Sequence, residues 1–118
     1  LHLDTFHMQI EEANPAACIH LADKKIGYFH IGESNRGFLG DGTISWAPIF
    51  DALVAINYDK DIVFESFSTQ IVDKSLSKVC AIWRDTWSDN DALADHAKKF
   101  IELKWTEALR RRTSNLRV

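Results

Sequence analysis

Apolar residues along this chain gather into three short runs separated by stretches with helical periodicity. The runs are Leu1–His7, Ile26–Glu33 and Asp61–Phe67, each of strand length. Asn14-Pro15 then marks a helix start. The Asn side chain can accept the free N–H groups of the first turn, and Pro suits the first helical position because no N–H is needed there. Ala16, Ala17, Ile19, Leu21 and Ala22 carry this short helix, and Asp23-Lys24-Lys25 is the polar turn into the second run. Residues Met8–Glu12 read as a loop. A glycine-bearing loop, Ser34–Thr43, follows the second run. Ser45 then caps a helix in which Pro48 is tolerated in the first turn and Ile49, Phe50, Leu53, Val54 and Ile56 recur at helical spacing. Asn57–Lys60 turns into the third run. Beyond Glu65 the pattern predicts a loop to Asp73 and short helical or extended pieces over Ser75–Arg84. Ser88 with Asp91 three residues later reads as a capping box for a long last helix. Its buried face is predicted to hold Leu93, Ala97, Phe100, Ile101, Trp105 and Leu109.

The order is therefore βαβαβ followed by a long helix. It points to an α/β domain with parallel strands, either a repeated (β/α) barrel or an open doubly wound sheet. Three parallel strands leave two unpaired edges, and a whole barrel needs on the order of 250 residues. The chain has 118 residues, read as one domain over 1–118. Its first residue already lies in a strand-like run, with no initiator Met before it, so it is expected to be the C-terminal part of a longer protein. Pairing with a second copy is the simplest way to cover the edges, which predicts a homo-oligomer.

Composition narrows the function classes. Apolar residues make up 46%, enough for a core, and the net charge of −3 argues against a nucleic-acid partner. Arg110-Arg111-Arg112 and Arg117 form a local basic cluster, read as a solvated helix end where cations suit the helix dipole. No apolar stretch reaches the ~18 residues of a membrane span. Cys18 and Cys80 have no metal-binding or redox spacing and read as buried structural thiols, consistent with a reducing, cytoplasmic setting. Trp46, Trp83, Trp87 and Trp105 are core candidates.

The chemistry lies at the ends of the runs. Asp4, His30 and Glu65 occupy them in turn. All strands of a parallel α/β sheet end on one face, so the three side chains are expected to meet there. Each alone has an ordinary structural role available: an edge carboxylate, a core histidine, half of an ion pair. One ionisable group at the end of every apolar run is harder to explain that way, because burying such groups is costly unless they are paired or bind metal. Asp, His and Glu suit Mn²⁺, Co²⁺, Zn²⁺ or Mg²⁺. His7 lies in the loop where a substrate would lie, and Glu33, Asn35 and Arg36 lie at the mouth of the second strand. Arg36 offers a fork of donors for hydroxyls, carboxylates or phosphates, or a surface ion pair with Glu33 or Asp41. Gly40-Asp41-Gly42 lacks the third glycine of a dinucleotide fingerprint.

Leu3-Asp4-Thr5-Phe6-His7-Met8-Gln9-Ile10-Glu11-Glu12, Phe29-His30-Ile31-Gly32-Glu33-Ser34-Asn35-Arg36-Gly37, Ile62-Val63-Phe64-Glu65-Ser66-Phe67 and Ala81-Ile82-Trp83-Arg84-Asp85 together resemble the ketose 3-epimerases, the D-tagatose/D-psicose 3-epimerase family of xylose isomerase-like TIM barrels. The resemblance covers most of the chain. It implies the last three βα units of a (β/α)8 barrel, with Asp4, His30 and Glu65 as metal ligands, His7 and Arg36 as substrate-binding residues, and Glu65 also as one of two catalytic glutamates. The implied cofactor is Mn²⁺ or Co²⁺, and the implied substrate a free ketohexose such as D-tagatose, D-psicose or D-fructose. The implied reaction inverts C3 through a cis-enediolate. The family's fourth ligand and second acid/base, a glutamate on an earlier strand, has no counterpart here, and Glu11 and Glu12 are not substitutes for it. The chain alone is therefore expected to be inactive. Other enzymes of the same scaffold compete with this reading: a hydroxypyruvate isomerase, an inosose dehydratase, a sugar-phosphate epimerase, or a zinc endonuclease, which the acidic charge disfavours. So does a non-catalytic, self-assembling half-barrel.

Overall fold

A computed structural model describes residues 1–116; Arg117, predicted above as part of the basic helix end, lies outside them. Three strands form one parallel sheet in the order β1 (His2–Asp4), β2 (Tyr28–Ile31), β3 (Ile62–Phe64). Among the described residues five α-helices accompany it, α1 (Thr5–Glu11), α2 (Pro15–Ala22), α3 (Trp46–Ala55), α4 (Lys74–Val79) and α5 (Asn90–Asn115), with a short 3-10 helix over Asp23–Lys25. The right-handed βαβ logic of a parallel sheet places α2 and α3 after their strands as connecting helices.

Alternation along β2 divides the two faces. Phe29 and Ile31 are fully buried, while His30 between them points the other way and is only part-buried. The buried pair joins Ile19, Ile26, Phe50, Leu53 and Leu39 in a core between the sheet and the helices. α5 packs on α3, with Trp46 edge-on to Phe100 at 5.5 Å and Phe50 edge-on to Trp105 at 6.5 Å. At the strand starts two lysines tie neighbouring units: Lys24 Nζ donates to the Ile56 carbonyl at 2.6 Å, and Lys60 Nζ to that of Ile26 at 2.9 Å.

Asn14 caps α2 as expected, its Oδ1 accepting from Ala17 N at 3.0 Å. Other local readings are corrected. Residues 8–11 are helical: Asp4 caps α1 by accepting from Phe6 N at 2.8 Å, and Met8 is buried. Ser45 stands at the N-cap of α3, but its hydroxyl makes no capping bond. The cap of α5 is Asp89, which accepts from the amides of Asp91 and Ala92, so Ser88 and Asp91 form no capping box. Ala108 is buried on α5 where Leu109 was expected, and Leu109 is exposed. At about 100° per residue, 108 falls back over the stripe begun at Leu93, and 109 swings to its margin.

Trp83 is 74% exposed and is no core residue. Cys18 and Cys80 are only part-buried. The Cys18 thiol donates to Glu12 at 3.0 Å, and this bond together with the nearby carboxylate charge pushes its pKa up. The arginines of α5 do more than face solvent. Arg111 pairs with Asp51 of α3 at 2.8 Å, and Arg112 donates to Val54 O and Asn57 Oδ1, each at 2.8 Å. Among the described residues no helix is long and apolar enough to cross a membrane.

Candidate metal centre

Register brings the three strand-end residues together. Asp4 is the Cα partner of His30, and His30 that of Val63. Partners in adjacent parallel strands point to the same side, and Glu65 lies two residues beyond Val63, so it shares that side. The Glu65 amide extends the ladder by donating to Ile31 O at 3.0 Å. As a result, one donor atom from each of Asp4, His30 and Glu65 lies within 4.8 Å of the other two. His30 Nδ1 is 3.8 Å from Asp4 Oδ2 and 3.9 Å from Glu65 Oε1.

The two carboxylates divide their oxygens in the same way. Asp4 Oδ1 accepts the Phe6 amide, leaving Oδ2 toward His30. Glu65 Oε2 accepts from Arg36 Nη1 at 2.6 Å, leaving Oε1 toward His30. In each carboxylate, then, one oxygen is held by a protein donor and the other is aimed at a shared point. Such outer contacts fix the orientation of ligating groups. Two carboxylates crowding one imidazole is an arrangement a dication relieves. Donors on a common ion with bonds near 2.1 Å lie roughly 3–3.5 Å apart, so a bound ion would draw the three side chains closer together. The donor set fits a divalent ion that takes oxygen and imidazole ligands.

Arg36 does not pair with Glu33 or Asp41 as a surface residue would. It is buried, with its guanidinium 3.5 Å from the Phe6 ring centroid and 5.0 Å from that of Phe67. His7 Nε2 stands 4.0 Å from Asp4 Oδ2, and its side chain is 65% exposed. An open cavity of about 540 Å³ lies beside the centre, lined in part by Asp4, His7, Met8, Glu11, His30 and Glu65. Glu11 and Glu12 border it without joining the three clustered donors.

Sequence reasoning missed three things. One is the aromatic clamp on Arg36. Another is the anchoring of the loop after Glu65: Trp87 Nε1 donates to Ser66 Oγ at 2.7 Å, and the buried Ser68 hydroxyl donates to Trp87 O at 2.6 Å. The third is Glu33, which is completely buried yet bonded on both oxygens. Its position among Gly32, Gly37, Gly40 and Gly42 was the available signal, since a glycine-rich loop can fold around a carboxylate.

Residues 1–104 match the xylose isomerase-like TIM barrel family. The chain belongs to that family. Its parallel strands and outer helices are accordingly part of a (β/α)8 barrel, and the donor cluster lies at the strand C-terminal rim, where barrel enzymes place their chemistry. Relatives of this barrel segment include the L-ribulose 3-epimerase of Mesorhizobium japonicum, 60% identical over 111 residues, which cover 94% of this chain and 37% of the relative. The ketose 3-epimerase of Arthrobacter globiformis is 46% identical over 106 residues, covering 90% and 37%. Among solved structures, an L-ribulose 3-epimerase superposes with a TM-score of 0.90 at 60% identity, over 98% of this chain and 38% of that one. D-allulose 3-epimerase from Methylomonas sp., in complex with D-allulose, superposes with a TM-score of 0.84 at 49% identity, over 88% and 36%. The barrel segment spans a little over a third of the length of these relatives.

Proposed function

We propose that these residues are the C-terminal part of a divalent-metal-dependent ketose 3-epimerase, with Asp4, His30 and Glu65 holding the metal. The observation that carries the reading is the shared orientation of Asp4 Oδ2, His30 Nδ1 and Glu65 Oε1, each of the two carboxylates having its other oxygen engaged by a protein donor. The relatives named ketose and L-ribulose 3-epimerase support the reaction class. We favour Mn²⁺ or Co²⁺, with Mg²⁺ or Zn²⁺ accepted by the same donors.

A dication at this position supplies Lewis acidity that polarises a substrate carbonyl and acidifies the adjacent C–H. Glu65 then acts as a base or acid at C3, and an enediolate links the two epimers. Inversion needs a second acid/base on the opposite face of C3. Arg36 holds Glu65 in orientation and, with His7 at the cavity mouth, contacts the sugar hydroxyls. The relatives' names span a ketopentose and ketohexoses, which share the C1–C3 portion where this chemistry occurs. D-psicose, D-tagatose, D-fructose and L-ribulose are therefore the substrates to try.

The described residues cluster three donors and no second glutamate, so we infer that the 118 residues expressed by themselves epimerise little or nothing. The free outer edges of β1 and β3 are covered either by preceding βα units or by a second copy, and we infer a homo-oligomer in a cytoplasmic setting. Light scattering of the full-length protein tests the oligomer.

The deciding experiment incubates the full-length protein with Mn²⁺ and each ketose in D₂O and follows C3 by NMR. Deuterium at C3 together with the C3 epimer is the expected result. Absence of both with all four sugars would sink the reading.

A further inference from the structure

Glu33 is a fully buried carboxylate just beyond the donor cluster, and the mechanism above gives it no part. Its Oε1 accepts from Ser34 N at 2.8 Å and from Ile44 N at 3.4 Å. Its Oε2 accepts from Gly40 N at 2.9 Å and from Trp46 Nε1 at 3.0 Å. A carboxylate is acceptor-only, so four converging N–H donors suit it and suit little else. The loop wraps it so closely that a Cβ at Gly42 would clash with Glu33 Oε1 and with the Ser34 hydroxyl.

The same loop carries Arg36, whose φ of 61° lies in the left-handed region. That conformation is unfavourable for a non-glycine residue and persists only where its surroundings enforce it. Here it is enforced from both sides. Arg36 N donates to Glu33 O at 2.9 Å, and Arg36 O accepts from Phe67 N at 3.0 Å and from the Ser66 hydroxyl. The backbone at 36 is thus suspended between the Glu33-centred loop and the segment following Glu65. Its guanidinium is thereby delivered onto Glu65 Oε2.

We propose that Glu33 is a positioning residue: its buried carboxylate folds the 34–46 loop so that Arg36 meets Glu65 and turns Glu65 Oε1 to the centre. Its catalytic consequence rests on the epimerase reading; its geometric consequence does not. Glu33 touches no substrate and acts only through Arg36.

The test is a double-mutant cycle in the full-length protein between Glu33→Gln and Arg36→Ala, read by Mn²⁺ calorimetry and by kcat. Glu33→Gln keeps the shape but turns an NH₂ toward N–H donors. It is expected to lower kcat by 10–100-fold and Mn²⁺ affinity about tenfold, the usual scale for outer contacts of a metal ligand. In the Arg36→Ala background the same change is expected to cost less than twofold, because its route is already cut. Equal losses in both backgrounds, or no loss in either, overturn the proposal. If Glu33→Gln does not fold, Trp46→Phe removes one of the four donors and takes its place in the cycle, with an expected loss of 3–10-fold under the same criteria. A crystal structure of the variant supplies an arm independent of activity: a broken Arg36–Glu65 bond supports the proposal, and an unaltered one defeats it. Should the wild type neither bind Mn²⁺ nor exchange C3, the epimerase reading fails while this structural arm still decides the role of Glu33.

Discussion

Asp4 and His30 are register partners on β1 and β2, and Asp4 Oδ2 lies 3.8 Å from His30 Nδ1 while Asp4 Oδ1 starts helix α1. The two roles of this one carboxylate can be separated. Asp4→Asn keeps an oxygen for the Phe6 amide but gives up a charged donor. It is expected to leave stability in EDTA within about 0.5 kcal/mol of wild type and to weaken Mn²⁺ binding at least tenfold. Asp4→Ala is expected to lose the cap as well, costing about 1 kcal/mol more. Urea titrations in EDTA and Mn²⁺ calorimetry on the full-length protein separate the two effects.

Arg36 stacks on Phe6 and bonds Glu65, and both contacts depend on a planar guanidinium. Arg36→Lys keeps the charge and loses the plane. Hydrogen bonds to charged groups contribute about 1.5–3 kcal/mol. The expected loss in kcat/KM is therefore roughly 10–100-fold, accompanied by a lower melting temperature because the lost bond and stacking are buried. A lysine variant of near-normal activity would show that charge alone suffices.

Two contacts join α3 to its neighbours with very different weight. The Arg111–Asp51 pair is about two-fifths exposed on both sides, so Arg111→Ala is expected to cost only about 0.2–1 kcal/mol. Phe50 is fully buried, and Phe50→Ala is expected to cost about 3–5 kcal/mol through lost burial and the cavity left behind. Urea midpoints of the full-length variants should rank in that order.

Asp85 accepts from the Thr69 hydroxyl and from Gln70 Nε2 at 2.9 Å, and these bonds hold its carboxyl below the usual carboxylate range. A pKa lowered by folding contributes stability above the unfolded value, and that stability is lost as pH falls through the folded value. Asp85→Asn should therefore flatten the acid limb of a melting-temperature profile below about pH 4, while differing less from wild type at the bottom of that limb than at neutral pH. An acid limb as steep as that of wild type would show that the bonds do not favour the ionised form.

Much of this architecture is legible in the chain because strand ends and helix periodicity are local. The β2 alternation of Phe29, His30 and Ile31 gives both the core face and the site face directly. Asn14-Pro15 carries its helix start in two letters. What escapes is whatever depends on distant partners. Asp4 reads as the end of a strand and gives no sign that it also starts a helix, which is why residues 8–11 look like a loop. Arg36 has acidic neighbours in sequence, yet its partner lies 29 residues away. Trp83 is as apolar as Trp46, and nothing local says that one is exposed and the other buried. Glu33 looks like a surface acid because three of the donors that enclose it come from a folded loop and the fourth from Trp46 at the start of α3.

The divided carboxylate of Asp4 makes the backbone amide of Phe6 a natural gauge of the centre. Any event that tugs on Oδ2 is transmitted through a single rigid group to the bond that begins α1. Hydrogen–deuterium exchange at that one amide would then track occupancy of the cluster without a label, a cofactor signal or a turnover assay.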